Sequence, residues 1–398
     1  MAHHRVADGK NSLRRRGVSR GLVFMLLAVL LVASGVVVWF QVGDHVGREG
    51  DAAAATCVEG PATVAIIADP DIAEGLSAIA KSYAETRPVI RDHCITIAVR
   101  PGDAKITLDG LTGNWDPQAN GQYPAAWIPQ SSVWAADLVT AKPSVVDGTP
   151  ESLVTSPVVL ATSPELGAQL TGKLDWAQLP TLARRDDSLT EFGLRGWGSL
   201  RMAMPTGAQS DASALAAQAV AMRITRTTGV LTAADASSKG VAAGIGALTE
   251  AAPRSPDGTP VGAATAIADA ADAADAKAAP IHAVPITEQR LFQLTKADTT
   301  AKLAEVLPSG PTPLADYPFL KLTGDQVPEY AATAVADFFR FAEEPDHLAV
   351  LTALGFRGAA PMPPKTATVT FPVTPNPMAS PETAAVVDIN RLVFGPTS

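Results

Sequence analysis

Two cysteines and six scattered histidines in 398 residues offer no spacing that could hold a zinc ion. The G-x-S-x-G turn that presents a hydrolase serine is missing. The histidines at 45, 93, 282 and 347 sit near no evident nucleophile. No Walker or Rossmann glycine pattern occurs. These absences imply no catalytic residues, no metal and no cofactor, and point away from an enzyme. Charge is also sparse, at 18% of residues, whereas hydrophobic residues reach 47%, which excludes a chain disordered by composition.

The charge that is present is unevenly placed. Residues 1–20 hold six basic side chains against Asp8 alone, and the remaining residues hold 25 basic and 39 acidic ones, a net −14. An acidic body lacks the cations needed to neutralise phosphates, so nucleic acid is excluded as a partner. The basic cluster, with Arg14, Arg15, Arg16 and Arg20, instead precedes twenty uncharged residues, 21–40, which as a helix span about 30 Å, the thickness of a bilayer core. Basic residues stay on the cytoplasmic side, so the N-terminus is expected inside and the rest outside the cytoplasm. A cleaved signal peptide is the competing reading. Its apolar core is usually shorter, and the nearest small-residue cleavage pattern, at 51–56, lies more than ten residues past the run. Residues 1–20 are therefore expected as a cytoplasmic tail, 21–40 as a single transmembrane helix and 41–56 as a tether. Outside the cytoplasm, Cys57 and Cys94 are expected to pair, closing a loop whose cross-link contributes about 4 kcal/mol in the chain-entropy picture.

From Cys57 the pattern alternates between strand and helix. The continuous apolar run 62–68 has strand length and ends at Asp69-Pro70-Asp71, a break that offers a helix N-cap, with Asp71 a plausible one. Ile72, Leu76, Ile79, Ala80 and Tyr83 then recur at helical spacing, and 94–99 reads as a second strand. Such a unit suggests a parallel α/β sheet. Further strands are expected at 153–162, 200–207, 281–286 and 316–324. Helices are expected from Ser131-Ser132, over 210–224 and 263–279, from Thr287-Glu288-Gln289, and over 328–354 with a break at Pro345. Residues 359–398 form a proline-rich segment closing in a short apolar helix or strand at 383–394.

The order of pieces resembles the extracytoplasmic solute-binding proteins of the type 2 periplasmic fold, and more narrowly an actinobacterial branch often fused to a von Willebrand factor A domain. The likeness is carried by the cysteine pair, AWIPQSSVWAADL (126–138), TSPVVLA (155–161), LDWAQL (174–179), MAMPTGAQSDASALA (202–216), VPITEQ (284–289), ADYPFLKL (315–322) and GFRG (355–358). No D-x-S-x-S metal motif follows those strings, so the adhesion domain and its metal are not expected here. The resemblance implies two α/β lobes over 57–358, joined by strands near 156–161 and 281–285. Lobe one would be 57–155 plus 286–358, and lobe two 156–285. It also implies a ligand in the cleft, at strand ends and helix N-termini.

Candidate ligand-binding residues follow. Ser131 and Ser132 open a helix, and Thr206, Gly207 and Ser210 form a similar turn in the other lobe; each could contact ligand or simply cap a helix or shape a loop. Ser156, Glu288 and Asp69 complete the set, with Glu288 and Asp69 open to capping roles instead. The expected function is a membrane-anchored, non-enzymatic binder that captures a small molecule. The alternative is a module on the same fold that has lost its ligand and meets a membrane or envelope protein.

Overall fold

The computed structural model describes residues 57–270, 272–374 and 376–395. The apolar run 21–40 and the tether lie outside them; among the described residues no helix is long and apolar enough to cross a membrane. Contacts divide the chain into Met1–Val58 and Glu59–Ser398, and both sheets belong to the second unit. Cys57 and Cys94 form a disulfide.

The first strand, β1 (Gly60–Ala68), is buried from Val64 to Ala68, which is why its apolar run is unbroken. Helix α1 (Pro70–Glu85) starts immediately after it. Its N-cap is Asp69, whose carboxylate accepts from the Asp71 backbone N–H at 2.9 Å, so the capping role offered to Asp71 falls two residues earlier. Pro70 at the first helical position needs no donor there. The α1 stripe Ile72, Leu76, Ile79 and Tyr83 is buried. Gly75 in this helix lets Leu351 approach so closely that a Cβ would sit 2.5 Å from its methyl.

Strands β2 (Val89–Ile90), β3 (His93–Pro101), β4 (Ala126–Ile128) and β5 (Val146–Ser152) join β1 and β10 (Pro318–Leu322) in one sheet, ordered β2-β3-β1-β4-β10-β5. Only β3, β1 and β4 are mutually parallel; β2, β10 and β5 run antiparallel to their neighbours. The second sheet holds β6 (Ser156–Thr162), β7 (Ala283–Thr287), β8 (Ala304–Val306) and β9 (Leu314–Ala315), all antiparallel to β6. The parallel expectation therefore describes the centre of lobe one alone. β8 and β9 also carry the second sheet past 286, the point where the sequence reading returned the chain to lobe one.

Two further expectations change. Residues 200–207 form no strand, only a bridge between Met202 and Ala283. The alanine-rich 263–279 splits into helices Pro260–Ala268 and Ala273–Ala278, each opened by its own cap at Thr259 and Asp272. The break at Pro345 holds, between α5 (Glu329–Ala342) and α6 (Pro345–Ala353). Helix α2 (Ser132–Ala141) follows β4, α3 (Asp211–Thr225) lies in lobe two, and α4 (Glu288–Thr295) follows β7.

The segment 383–394 is a helix, α7 (Thr383–Phe394), and it touches both lobes. Ala385, Ile389 and Val393, spaced by four, pack on Ala217, Ala221, Leu231, Val241 and Ile245 of lobe two. The adjacent stripe meets α2 of lobe one. Val386 and Val387 cover Ala136, Asn390 donates to the Val133 carbonyl and to Asp137, both at 2.9 Å, and Phe394 stacks on Trp134. Two stripes about 100° apart on one helix thus serve two partners.

Candidate functional site

The loop after β1, the start of α3 and the turn before β10 bring four carboxylates together between the lobes, three of them buried. Asp69 and Asp71 come from the end of β1, Asp211 from α3 and Asp316 from the turn before β10. Asp71 is paired with Arg290 of α4 at 2.9 Å and accepts from Gln130 at 2.9 Å and from the Tyr317 hydroxyl at 3.3 Å. Gln209 donates to Asp69 at 3.2 Å, while Arg290 donates to the Gln209 carbonyl oxygen. Lobe one therefore supplies two aspartates, a glutamine and a tyrosine, and lobe two answers with an arginine and a glutamine.

Burial governs the protonation of this group. It raises Asp69 well above the usual carboxylate range, and the neighbouring Asp71 charge adds to the effect. Asp71 is raised by burial against the pull of Arg290. Asp211 is pushed up to about 7 by burial, despite the hydrogen bonds it accepts. An ionised carboxylate without water costs more than a protonated one, so the proton is retained.

The start of α2 is the place where an anion would be expected to dock, because helix N-terminal N–H groups point outward there. The chain has filled it. Ser131 caps Val133 at 3.2 Å and donates to Asp211 at 2.6 Å; the Trp134 indole N–H donates to the other Asp211 oxygen at 2.7 Å. The Ser132 N–H donates to Asp316 at 2.7 Å and its hydroxyl bonds the second Asp316 oxygen.

The remaining sequence candidates separate. Thr206 is exposed. Gly207 donates to the Gly258 carbonyl at 3.0 Å, an approach so close that a Cβ would meet that oxygen at 2.7 Å. Ser210 precedes α3 without a side-chain cap and donates weakly to Ala208. Ser156 accepts from the Gln289 N–H at 2.9 Å. Glu288 is wholly buried in a two-bond pair with Arg357 at 2.7 and 2.8 Å, which ties α4 to the end of the 57–358 region. Of the eight, Asp69 and Ser131 join the carboxylate cluster, Ser132 borders it through Asp316, and the others do not. Gln130, Gln209, Asp211, Arg290 and Asp316 were not singled out from sequence.

A cavity of about 240 Å³ opens beside the cluster, lined by Gln130, Gln209, Thr259, Val261, Thr287 and Arg290 among others. Gln130 is 2% exposed and its side-chain oxygen has no hydrogen-bond partner. Among the described residues no group of three or more His, Cys, Asp or Glu is arranged to hold a metal.

Residues 64–357 match the family of bacterial extracellular solute-binding proteins. The chain belongs to that family. Two curated relatives, uncharacterized proteins from two strains of Mycobacterium tuberculosis, are each 38% identical over 387 residues, covering 95% of this chain but 54% of the relative. The chain thus spans about half the length of the curated relatives it matches. Among solved structures it is similar to iron-bound HitA from Pseudomonas aeruginosa, with 14% identity, a TM-score of 0.53 and coverage of 83% of this chain and 97% of that one. The Trichodesmium protein IdiA (FutA), solved with iron and citrate, gives a TM-score of 0.53 at 9% identity over 84% and 98% of the two chains. At such identities the likeness concerns the fold, a two-lobed α/β periplasmic-binding architecture.

Proposed function

We propose that this family member is a membrane-tethered, extracytoplasmic binder, without catalytic activity, that takes a small, polar, uncharged molecule into the cavity between its lobes. One observation carries the reading. Gln130 from lobe one, whose side-chain oxygen is buried without a partner, lines a cavity whose opposite wall, Gln209, Thr259 and Arg290, belongs to the lobe-two side. A ligand donating to that oxygen would satisfy it, and an unmade buried bond costs about 1–3 kcal/mol. An anion is disfavoured because Arg290 is already matched by Asp71 and the α2 N-terminus by the chain's own side chains. The tether rests on residues 21–40, whose apolar length and basic flank fit a retained anchor.

The self-capped start of α2 also favours a second reading, an interaction module with no ligand in its cleft. A thermal-shift screen of the full chain against sugars, amino acids, peptides and inorganic anions separates the two, since a ligand of the native state alone raises the melting temperature. A neutral polar hit that disappears in Val261→Trp, which fills the cavity, and weakens in Gln130→Leu supports the first reading. Silence across the panel favours the second.

A further inference from the structure

A second cavity, of about 480 Å³, lies on another face of the junction between α2 and α3 and shares no lining residue with the first. One side is walled by α2 (Ala135, Ala136, Val139), another by Leu215 and Gln218 of α3, and a third by Met378 and Val386 of the returning C-terminal segment. Its size and largely apolar wall fit the usual range for small-molecule sites. Serine and threonine hydroxyls interrupt the wall, and two further polar groups stand out. Gln218 is 1% exposed and its amide nitrogen donates to nothing. Asp316 stands at the edge with both oxygens engaged by Ser132.

The lining contains no Lys, Arg or His among the described residues. A buried anion there would have no counter-charge. A cation would have only Asp316, which burial already biases toward its protonated form. A hydrocarbon alone would leave the Gln218 donor unmet. Met378, unbranched and adaptable, suits an irregular apolar guest.

We propose that this cavity is a second binding site, for a neutral amphiphile with an apolar body and one carbonyl or ether oxygen that accepts from the Gln218 amide. The claim is independent of the cleft ligand, so its failure leaves the preceding reading untouched. The test is a titration of the full chain in phosphatidylcholine nanodiscs, labelled with carbon-13 in the methionine methyls. The Met378 signal, identified by Met378→Leu, reports the cavity wall. Methyl octanoate is expected to move it saturably, nonane only at about tenfold higher concentration, the equivalent of one hydrogen bond, and octanoate not at all. Ala136→Trp should remove the response by filling the cavity, and Gln218→Leu should erase the preference of ester over alkane while keeping both bound. No movement of the Met378 signal with any probe overturns the site. An ester preference that survives Gln218→Leu overturns the role of the donor. Equal binding of octanoate overturns the neutral class.

Discussion

The two cavities between the lobes are built on opposite rules. The front one adjoins Asp69, Asp71 and Asp211, an arginine and two glutamines, nearly all engaged with one another, so its polarity is spent internally. The other is walled mainly by methyl and methylene groups, interrupted by serine and threonine hydroxyls, by Asp316 and by the idle Gln218 donor. Packing charged groups in pairs makes the front rigid and sensitive to the loss of either partner. A mostly apolar wall is set by shape and volume and tolerates exchange more easily.

The sharpest way to break this contrast is Arg290→Ala. It leaves Asp71, wholly buried, without its cation, and should cost about 3–5 kcal/mol in urea unfolding at pH 7.5. The loss should shrink as pH falls, because burial already raises Asp71 and a protonated carboxyl no longer needs the cation; a loss independent of pH would mean that the ion pair is not what holds the front together. The next effect is pH dependence itself. Asp211 keeps its proton up to about 7 when folded but releases it near 3.8 when unfolded. Between those values the folded state binds more protons, so stability falls as pH rises and the loss is complete above about 7. We expect roughly 2 kcal/mol less stability at pH 8 than at pH 5 from this group, and a flatter profile in Asp211→Asn. On the other side, Asn390→Ala removes two buried hydrogen bonds to α2, a loss of about 1–2 kcal/mol, readable by calorimetry. Smallest of all, Thr206→Ala at an exposed site should stay within about 0.5 kcal/mol and leave any thermal-shift hit unchanged. Loss of the hit would return Thr206 to the binding set.

Local pattern made much of the scaffold legible. The stripe from Ile72 to Tyr83, the run 62–68 and the break at Pro345 all depend on neighbours within a turn or two, and the structure follows them. So does Thr287, which caps α4 as its position suggests. The site was less legible because its partners are remote. Ser131 meets Asp211 80 positions away, Ser132 meets Asp316 184 away, and Arg290 reaches Gln209 across 81. A serine before a helix announces a cap, but nothing near it announces the carboxylate that will arrive from another lobe. Glu288 shows the reverse error: its place at a helix start suggested a ligand or a cap, whereas Arg357 claims it. The pairing of 304–306 and 314–315 with β6 was hidden for a related reason, since it rests on three- and two-residue strands too short to show a period.

Helix α7 has a consequence for the order of assembly. Its residues leave the ribosome after every strand of both sheets, yet they cover apolar surface on each lobe. Until residues 383–394 are made and delivered, lobe two keeps Ala217, Leu231 and Ile245 uncovered and α2 keeps Trp134 without its stacking partner. The step that shields these surfaces also joins the two lobes.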